Sequence, residues 1–101
     1  MVKHIVFWKL KEKAQGNDKE TNAHLIKEKL EALNGQIEGL IKLEVGINFL
    51  QSPTNYDVAL YSELESREAL TFYAEHPKHK IAGAFIKEVA SDRKAVDFEN
   101  E

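Results

Sequence analysis

The chain has 101 residues, 43% of them hydrophobic and 31% charged, with a formal net charge of −3 and no cysteine. Residues 1–101 are therefore predicted to form a single globular domain, without the basic surface that nucleic acid requires. The absence of cysteine excludes disulfides, thiolate catalysis and cysteine-based metal sites. Because no signal peptide or membrane-spanning window is recognisable, we expect a cytoplasmic protein.

The first third of the chain predicts a strand and a helix. In residues 2–10 both alternating sets of side chains are apolar at their centres, which predicts a central strand covered on both faces. Residues 11–17 are polar and predict a loop. Asn17 or Asp18 can cap a helix whose apolar side chains recur at helical spacing until Gly35 ends it.

Two strands are predicted in the middle of the chain. Residues 41–49 alternate between apolar and polar side chains, which is typical of a strand near a sheet edge with one face in solvent. Residues 51–55 have the composition of a turn. Residues 56–64 again carry apolar groups on both faces and predict a second central strand.

A proline divides the helical segment that follows. Ser66 can cap a helix, and Pro77 ends it because proline removes a backbone donor and moves His76 out of helical conformation. A second helix begins at the proline, with an apolar stripe formed by Ile81, Ala84, Phe85 and Val89. Residues 93–98 predict a short final strand.

The order β-α-β-β-α-β predicts a ferredoxin-like α+β sandwich, in which helices cover one face of an antiparallel sheet. Its first and third strands are central, which agrees with their two apolar faces. Helices on one face leave apolar groups such as Ile5 and Phe7 without a cover. We therefore predict a homodimer in which two copies pack sheet against sheet as a dimeric α/β barrel.

The segment Phe72–His79 holds most of the candidate chemistry, because it places a phenol and two imidazoles around Pro77. On an unbroken helix Tyr73 and His79 would be separated by about 240° around the axis, at ~100° per residue. Only a kink or a restarted helix can bring both side chains to one cavity. The segment is therefore predicted to line a pocket.

Each candidate side chain has a chemical and a structural interpretation. His79 can act as a general base near neutral pH, or it can bridge neighbouring elements by hydrogen bonds. Tyr73 can donate to a developing oxyanion, or it can be a half-buried tyrosine with a solvated hydroxyl. His4 is either buried with its hydrogen bonds satisfied or a polar group at the pocket edge.

The predicted catalytic residues are His79 and Tyr73, and the predicted ligand-binding set is His4, Val6, Trp8, Tyr73, His76 and His79. His76 precedes proline and can serve as a packing or capping residue. His76 and His79 have a spacing that metals use, but no third ligand follows at a suitable position, so neither a metal nor an organic cofactor is predicted. No phosphate-binding loop or nucleophile elbow occurs in the sequence.

Five segments together resemble the stress-responsive α/β-barrel domain family, namely Lys3–Val6, Gly46–Asn48, Tyr56–Leu60, Tyr73–His79 and Val96–Phe98. The resemblance covers essentially the whole chain, and the His-Pro-x-His motif with its upstream tyrosine is the most specific part. Members of this family are ferredoxin-like subunits that pair through their sheets into a dimeric barrel. Most of them have no assigned reaction.

The family includes a plant polyketide cyclase that closes a linear thioester by aldol condensation. The resemblance places its catalytic tyrosine and histidine on Tyr73 and His79, and its first-strand histidine on His4. The cyclase has bulky apolar groups where this chain has Ala90 and Arg93. The resemblance therefore implies the pocket but not the substrate.

Three hypotheses follow from the residues and the resemblance. The first is a homodimer that binds a small apolar or aromatic molecule. The second is a cofactor-independent enzyme of the cyclase or monooxygenase kind. The third is a structural protein whose dimers assemble further.

Overall fold

The computed structural model describes residues 1–100 of the chain. Its elements in chain order are β1 (Val2–Leu10), β2 (Lys13–Ala14), β3 (Asn17–Asp18), α1 (Lys19–Glu31), β4 (Leu40–Ile47), β5 (Val58–Leu64), α2 (Arg67–Glu75), α3 (Pro77–Val89) and β6 (Ala90–Glu99). Four strands form an antiparallel sheet in the order β4-β5-β1-β6, and β2 pairs with β3. This is the predicted ferredoxin-like α+β fold, with β1 and β5 in the middle of the sheet.

The hydrophobic core lies between the helices and one face of the sheet, which we call the inner face. Successive side chains of a strand point to opposite faces, so alternate residues of β1 and β5 reach the core. The largest fully buried apolar side chains are Val6, Ile26, Leu30, Val58, Leu60, Leu64, Tyr73 and Val89. No helix in the described part of the chain is long and apolar enough to cross a bilayer.

Residues 13–18 form a small hairpin where the sequence predicted a loop. Gln15 and Gly16 both have positive φ values, 53° and 77°, as the two central residues of a type I′ turn require. Asp18 caps α1, and its carboxylate accepts a hydrogen bond from the Thr21 amide at 2.8 Å. The side-chain amide of Asn17 instead donates to the side-chain oxygen of the buried Asn22 at 3.2 Å.

β6 is a strand of ten residues, whereas the sequence predicted a short strand at residues 93–98. Its side chains from Ser91 onward are exposed, so the sequence carries no burial pattern that would mark its length. The strand is held by pairing with β1 along its whole length. The register places Asp97 opposite His4 and Arg93 opposite Trp8.

The second face of the sheet, which we call the outer face, carries no helix. Four side chains there form an apolar patch, since Ile5 pairs with Val96 across the strands and Phe7 and Phe98 lie on the same face. The exposed fractions are 39% for Phe7, 49% for Val96 and 44% for Phe98. The outer face is therefore uncovered in the single chain, and it is the face for which the sequence predicted a second covering layer.

Side chains from α1 and the following turn cover the free edge of β4. Asn34 donates to the Leu43 carbonyl at 2.8 Å and accepts from the Leu43 amide at 2.9 Å. Glu31 accepts from the Val45 amide at 3.0 Å, and Lys27 donates to the Val45 carbonyl at 2.6 Å. These bonds occupy backbone groups that another strand would otherwise pair with.

Candidate functional site

The chain bends between α2 and α3 at the predicted position. His76 has extended backbone, and its Nδ1 accepts a hydrogen bond from the Lys78 amide at 3.1 Å, so its side chain caps α3. Pro77 takes the first position of α3, where a backbone N–H is not needed. The bend brings the ring centroids of Tyr73 and His79 to 4.4 Å, which an unbroken helix would have prevented.

A cavity of about 640 Å³ lies between α3 and the inner face of the sheet. This volume is within the range of roughly 300–1,000 Å³ that is usual for small-molecule sites. Of the predicted ligand-binding residues, the structure places His4, Val6, Trp8 and His79 in its lining. His76 and Tyr73 are not in the lining; the first caps α3, and the second is packed beside His79.

Small side chains on α3 leave room for this cavity. Gly83 and Ala84 both line it, and a Cβ atom added at Gly83 would meet no other atom within 4 Å. Ala90, at the start of β6, lines the cavity as well. A bulky residue at any of these positions would fill the space between α3 and the sheet.

Tyr73 is buried beside His79 with an exposed fraction of 1%. Its hydroxyl has no hydrogen-bond partner among residues 1–100, and burial raises the pKa of the phenol well above its usual value. The ring lies edge-on to His4, with centroids 6.2 Å apart. The solvated hydroxyl that one interpretation of the sequence assumed is therefore wrong, and the group is a neutral, enclosed donor.

His79 presents one ring nitrogen for proton transfer. Its Nδ1 lies 3.2 Å from the carbonyl oxygen of Ala74, which can only accept, so Nδ1 is assigned the proton and Nε2 keeps a lone pair. Burial is the main cause that lowers the pKa of His79, and the nearby His4 and Arg93 lower it further. The bond to Ala74 acts in the opposite direction. The imidazole is therefore neutral near pH 7 and can accept a proton.

Asp97 is a residue of the site that the sequence did not reveal. Its carboxylate binds Nδ1 of the buried His4 across the β1–β6 pair. This contact fixes the orientation of the imidazole and leaves Nε2 as the nitrogen available to a ligand. His4 is thus both hydrogen-bonded and part of the cavity lining, so the two interpretations of this residue are compatible.

The whole chain is similar to known proteins. The family model described as "Stress responsive A/B Barrel Domain" matches residues 2–100. An uncharacterized protein of Streptomyces coelicolor is 34% identical over 91 residues, which cover 90% of this chain and 92% of that protein. A dimeric protein of unknown function with a ferredoxin-like fold from Bacteroides fragilis is 37% identical, with a TM-score of 0.85 over 98% of this chain and 95% of that one.

A more distant solved structure shares the fold alone. The hydroxynitrile lyase from Passiflora edulis is 14% identical, with a TM-score of 0.79 over 99% of this chain and 94% of that one. The sheet, the three helices on one face and these likenesses define a small ferredoxin-like α+β domain. The chain belongs to the stress-responsive A/B barrel domain family. The family and the fold class predicted from the sequence are both confirmed.

Proposed function

We propose that this protein is a homodimer that binds a small apolar or aromatic molecule in the cavity between α3 and the sheet. The observation that carries the proposal is the cavity itself, which places the apolar side chains of Val6 and Trp8 beside the imidazoles of His4 and His79. Apolar surface with a few convergent polar groups is typical of small-molecule sites. A cysteine-free composition supports a reducing compartment such as the cytoplasm.

Two observations support the homodimer. The outer face carries the apolar patch of Ile5, Phe7, Val96 and Phe98, whose side chains are neighbours on one face rather than isolated apolar residues. The relative from Bacteroides fragilis, at 37% identity, is described as dimeric. We propose that two copies pack through this face, leaving the cavity on the inner face free for the ligand.

Trp8 gives a direct test of the binding proposal. It is the chain's single tryptophan and lines the cavity, so a bound aromatic molecule is expected to change its fluorescence and raise the melting temperature. Gly83→Leu should reduce this binding at least tenfold, because the added side chain occupies the cavity without meeting other atoms at its Cβ. The matched control is Gly46→Ala, on a strand away from the cavity and also with open space at Cβ.

The outcomes of this titration are distinct. A saturable response in the wild type and in Gly46→Ala, but not in Gly83→Leu, supports binding in the cavity. No response across a broad panel of small aromatic molecules would contradict the proposal. Equal affinity in Gly83→Leu and the wild type would move the binding site elsewhere.

The pairing of Tyr73 with His79 favours a second candidate function, a cofactor-independent enzyme. His79 Nε2 would remove a proton from a carbon beside a carbonyl group; the C–H electron pair would form the C=C bond of an enolate, and the carbonyl π pair would move to the oxygen. Tyr73 would donate its hydroxyl to that oxygen. Because the hydroxyl is enclosed, this step requires the side chains around it to move. The hydroxynitrile lyase indicates that the fold is compatible with catalysis.

The lowered pKa of His79 predicts a pH-dependent stability. The folded-state pKa lies below the unfolded value of about 6.5, so the unfolded chain binds more protons between the two values. The stability that the neutral His79 imidazole contributes to the folded state is fully present above about pH 6.5, and it is lost as the pH falls toward the folded-state pKa. His79→Gln should therefore lose less stability than the wild type between pH 7 and pH 5.

Urea unfolding of both proteins at several pH values measures this difference. The matched control is His24→Gln, which removes an exposed histidine of α1 instead of the histidine beside the cavity. Identical profiles for His79→Gln and the wild type would contradict a lowered pKa at this site.

A further inference from the structure

We infer that the ligand of this cavity is an organic anion, with an apolar or aromatic body against Val6 and Trp8 and an acidic group at Arg93. The inference rests on the proposed binding function and names the chemical class of its ligand. It comes from three cationic side chains, Lys80, Lys87 and Arg93, which line the cavity and which we call the cationic rim.

The cationic rim is formed by two elements that meet at the cavity. Lys80 and Lys87 are seven residues apart on α3, so they project from the same side of the helix, about two turns apart. Arg93 comes from β6, on the other side of the opening. None of the three makes a salt bridge within residues 1–100. Their charges are therefore available to a ligand.

The acidic groups near the rim already have partners. Asp92 lines the cavity, but its carboxylate accepts hydrogen bonds from the Tyr56 hydroxyl at 2.6 Å and from the Arg93 amide at 2.9 Å. These bonds, with the Tyr56 contact first, lower the pKa of Asp92 and keep it ionised. Asp97 is bound to His4. The three rim cations exceed Asp92 by two charges, so the opening is positive in a chain whose net charge is −3.

The position of Arg93 relative to Trp8 defines how such a ligand would lie. These two residues are direct cross-strand partners in the β1–β6 pair, and both line the cavity. Cross-strand partners on one face are close neighbours, so a ring packed on Trp8 has its substituent within reach of the guanidinium. Arginine binds carboxylates in a planar, bidentate geometry, which favours a carboxylate over a neutral polar group.

Isothermal titration with a matched pair of probes tests the inference. We expect 2-naphthoate to bind about tenfold more tightly than the neutral 2-naphthalenemethanol, because only the carboxylate can form a charge-assisted pair of hydrogen bonds with the guanidinium. Arg93→Gln should abolish this preference by weakening the acid about tenfold while leaving the alcohol unchanged. Since the rim is exposed, the preference should also decrease between 20 and 300 mM NaCl.

Two further variants complete the design. Lys87→Gln should reduce the preference for the acid in the same direction, since its lysine belongs to the rim. Arg67→Gln is the control, because Arg67 is an exposed arginine that pairs with Glu99 and is absent from the cavity lining. Its affinities for both probes should equal those of the wild type.

Each outcome distinguishes the inference from the function on which it rests. Equal wild-type affinities for acid and alcohol would overturn the anionic ligand while leaving small-molecule binding intact. If Arg93→Gln weakened the affinities for the acid and the alcohol equally, the inference would also be overturned, because the arginine would then act through the shape of the cavity. If neither probe nor any other aromatic molecule binds the wild type, the proposed function is wrong and this inference falls with it.

Discussion

Replacing Phe7 by glutamate is expected to convert the proposed dimer into monomers at micromolar concentration. Phe7 belongs to the apolar patch of the outer face and is 39% exposed in the single chain. In a twofold symmetric dimer the substitution occurs twice, so two carboxylates would lose water in an apolar contact. A cost of about 2 kcal/mol for each group would weaken association by on the order of a thousandfold.

Sedimentation velocity over a dilution series measures this change. The matched control is Phe72→Glu, because Phe72 is a phenylalanine of α2 with an exposed fraction of 51%, away from the outer face. It should remain dimeric. A wild-type protein that is monomeric at micromolar concentration with full stability would refute the dimer, and a dimeric Phe7→Glu would place the contact elsewhere. A particle much larger than a dimer would favour the structural-assembly hypothesis.

Tyr73→Phe is expected to stabilise the folded protein. The hydroxyl is buried without a partner among residues 1–100, so its removal relieves a desolvation cost of about 1–2 kcal/mol in the free energy of unfolding. Phenylalanine keeps the ring that packs beside His79. If the hydroxyl serves a ligand or an oxyanion, the same variant should bind or react at least tenfold less well.

Urea unfolding and ligand titration on the same samples separate the two effects. Tyr56→Phe is the control for stability, since its hydroxyl already donates to Asp92 and its loss should cost about 0.5–1 kcal/mol. A gain in the free energy of unfolding for Tyr73→Phe and a loss for Tyr56→Phe would support an unsatisfied hydroxyl at Tyr73. A Tyr73→Phe variant destabilised by more than about 1 kcal/mol would show that the hydroxyl has a stabilising partner in solution.

The sequence predicted those features that depend on local chemistry. Two apolar faces marked β1 and β5 as central strands, and Pro77 marked the bend that joins Tyr73 to His79. Both signals lie within a few residues of the feature they predict. This is why the fold class and the break between the two helices at Pro77 could be predicted from the sequence.

Features that depend on register or on helix rotation could not be obtained in this way. Asp97 contributes to the site only because strand pairing places it opposite His4, 93 residues away in the chain. On α3 the predicted stripe began at Ile81, but that side chain is 72% exposed, and the helix buries Ala82 and Ile86 together with Val89 of the predicted stripe. Adjacent stripes share the same period, and only packing on the sheet selects between them.

His76 and Gln15 illustrate two other reasons. The sequence placed His76 in the ligand-binding set, whereas its imidazole is used to cap α3 and is absent from the cavity lining. Gln15 adopts a positive φ in the β2–β3 turn, a conformation that is uncommon for residues other than glycine and that a glutamine does not predict. The capping role was one of the two roles that the sequence allowed for His76, whereas a turn with a non-glycine residue at positive φ cannot be recognised from composition alone.

The covered edge of β4 limits how copies of this chain can polymerise. An endless ribbon built by adding strand to strand needs two accepting edges on every copy, and Asn34, Glu31 and Lys27 already occupy the central backbone groups of one of them. Within the four-stranded sheet of residues 1–100, β6 is the edge strand without these side-chain bonds, so growth of this sheet stops after one joining event. A protein that displays apolar surface for association thereby gains resistance to fibril formation.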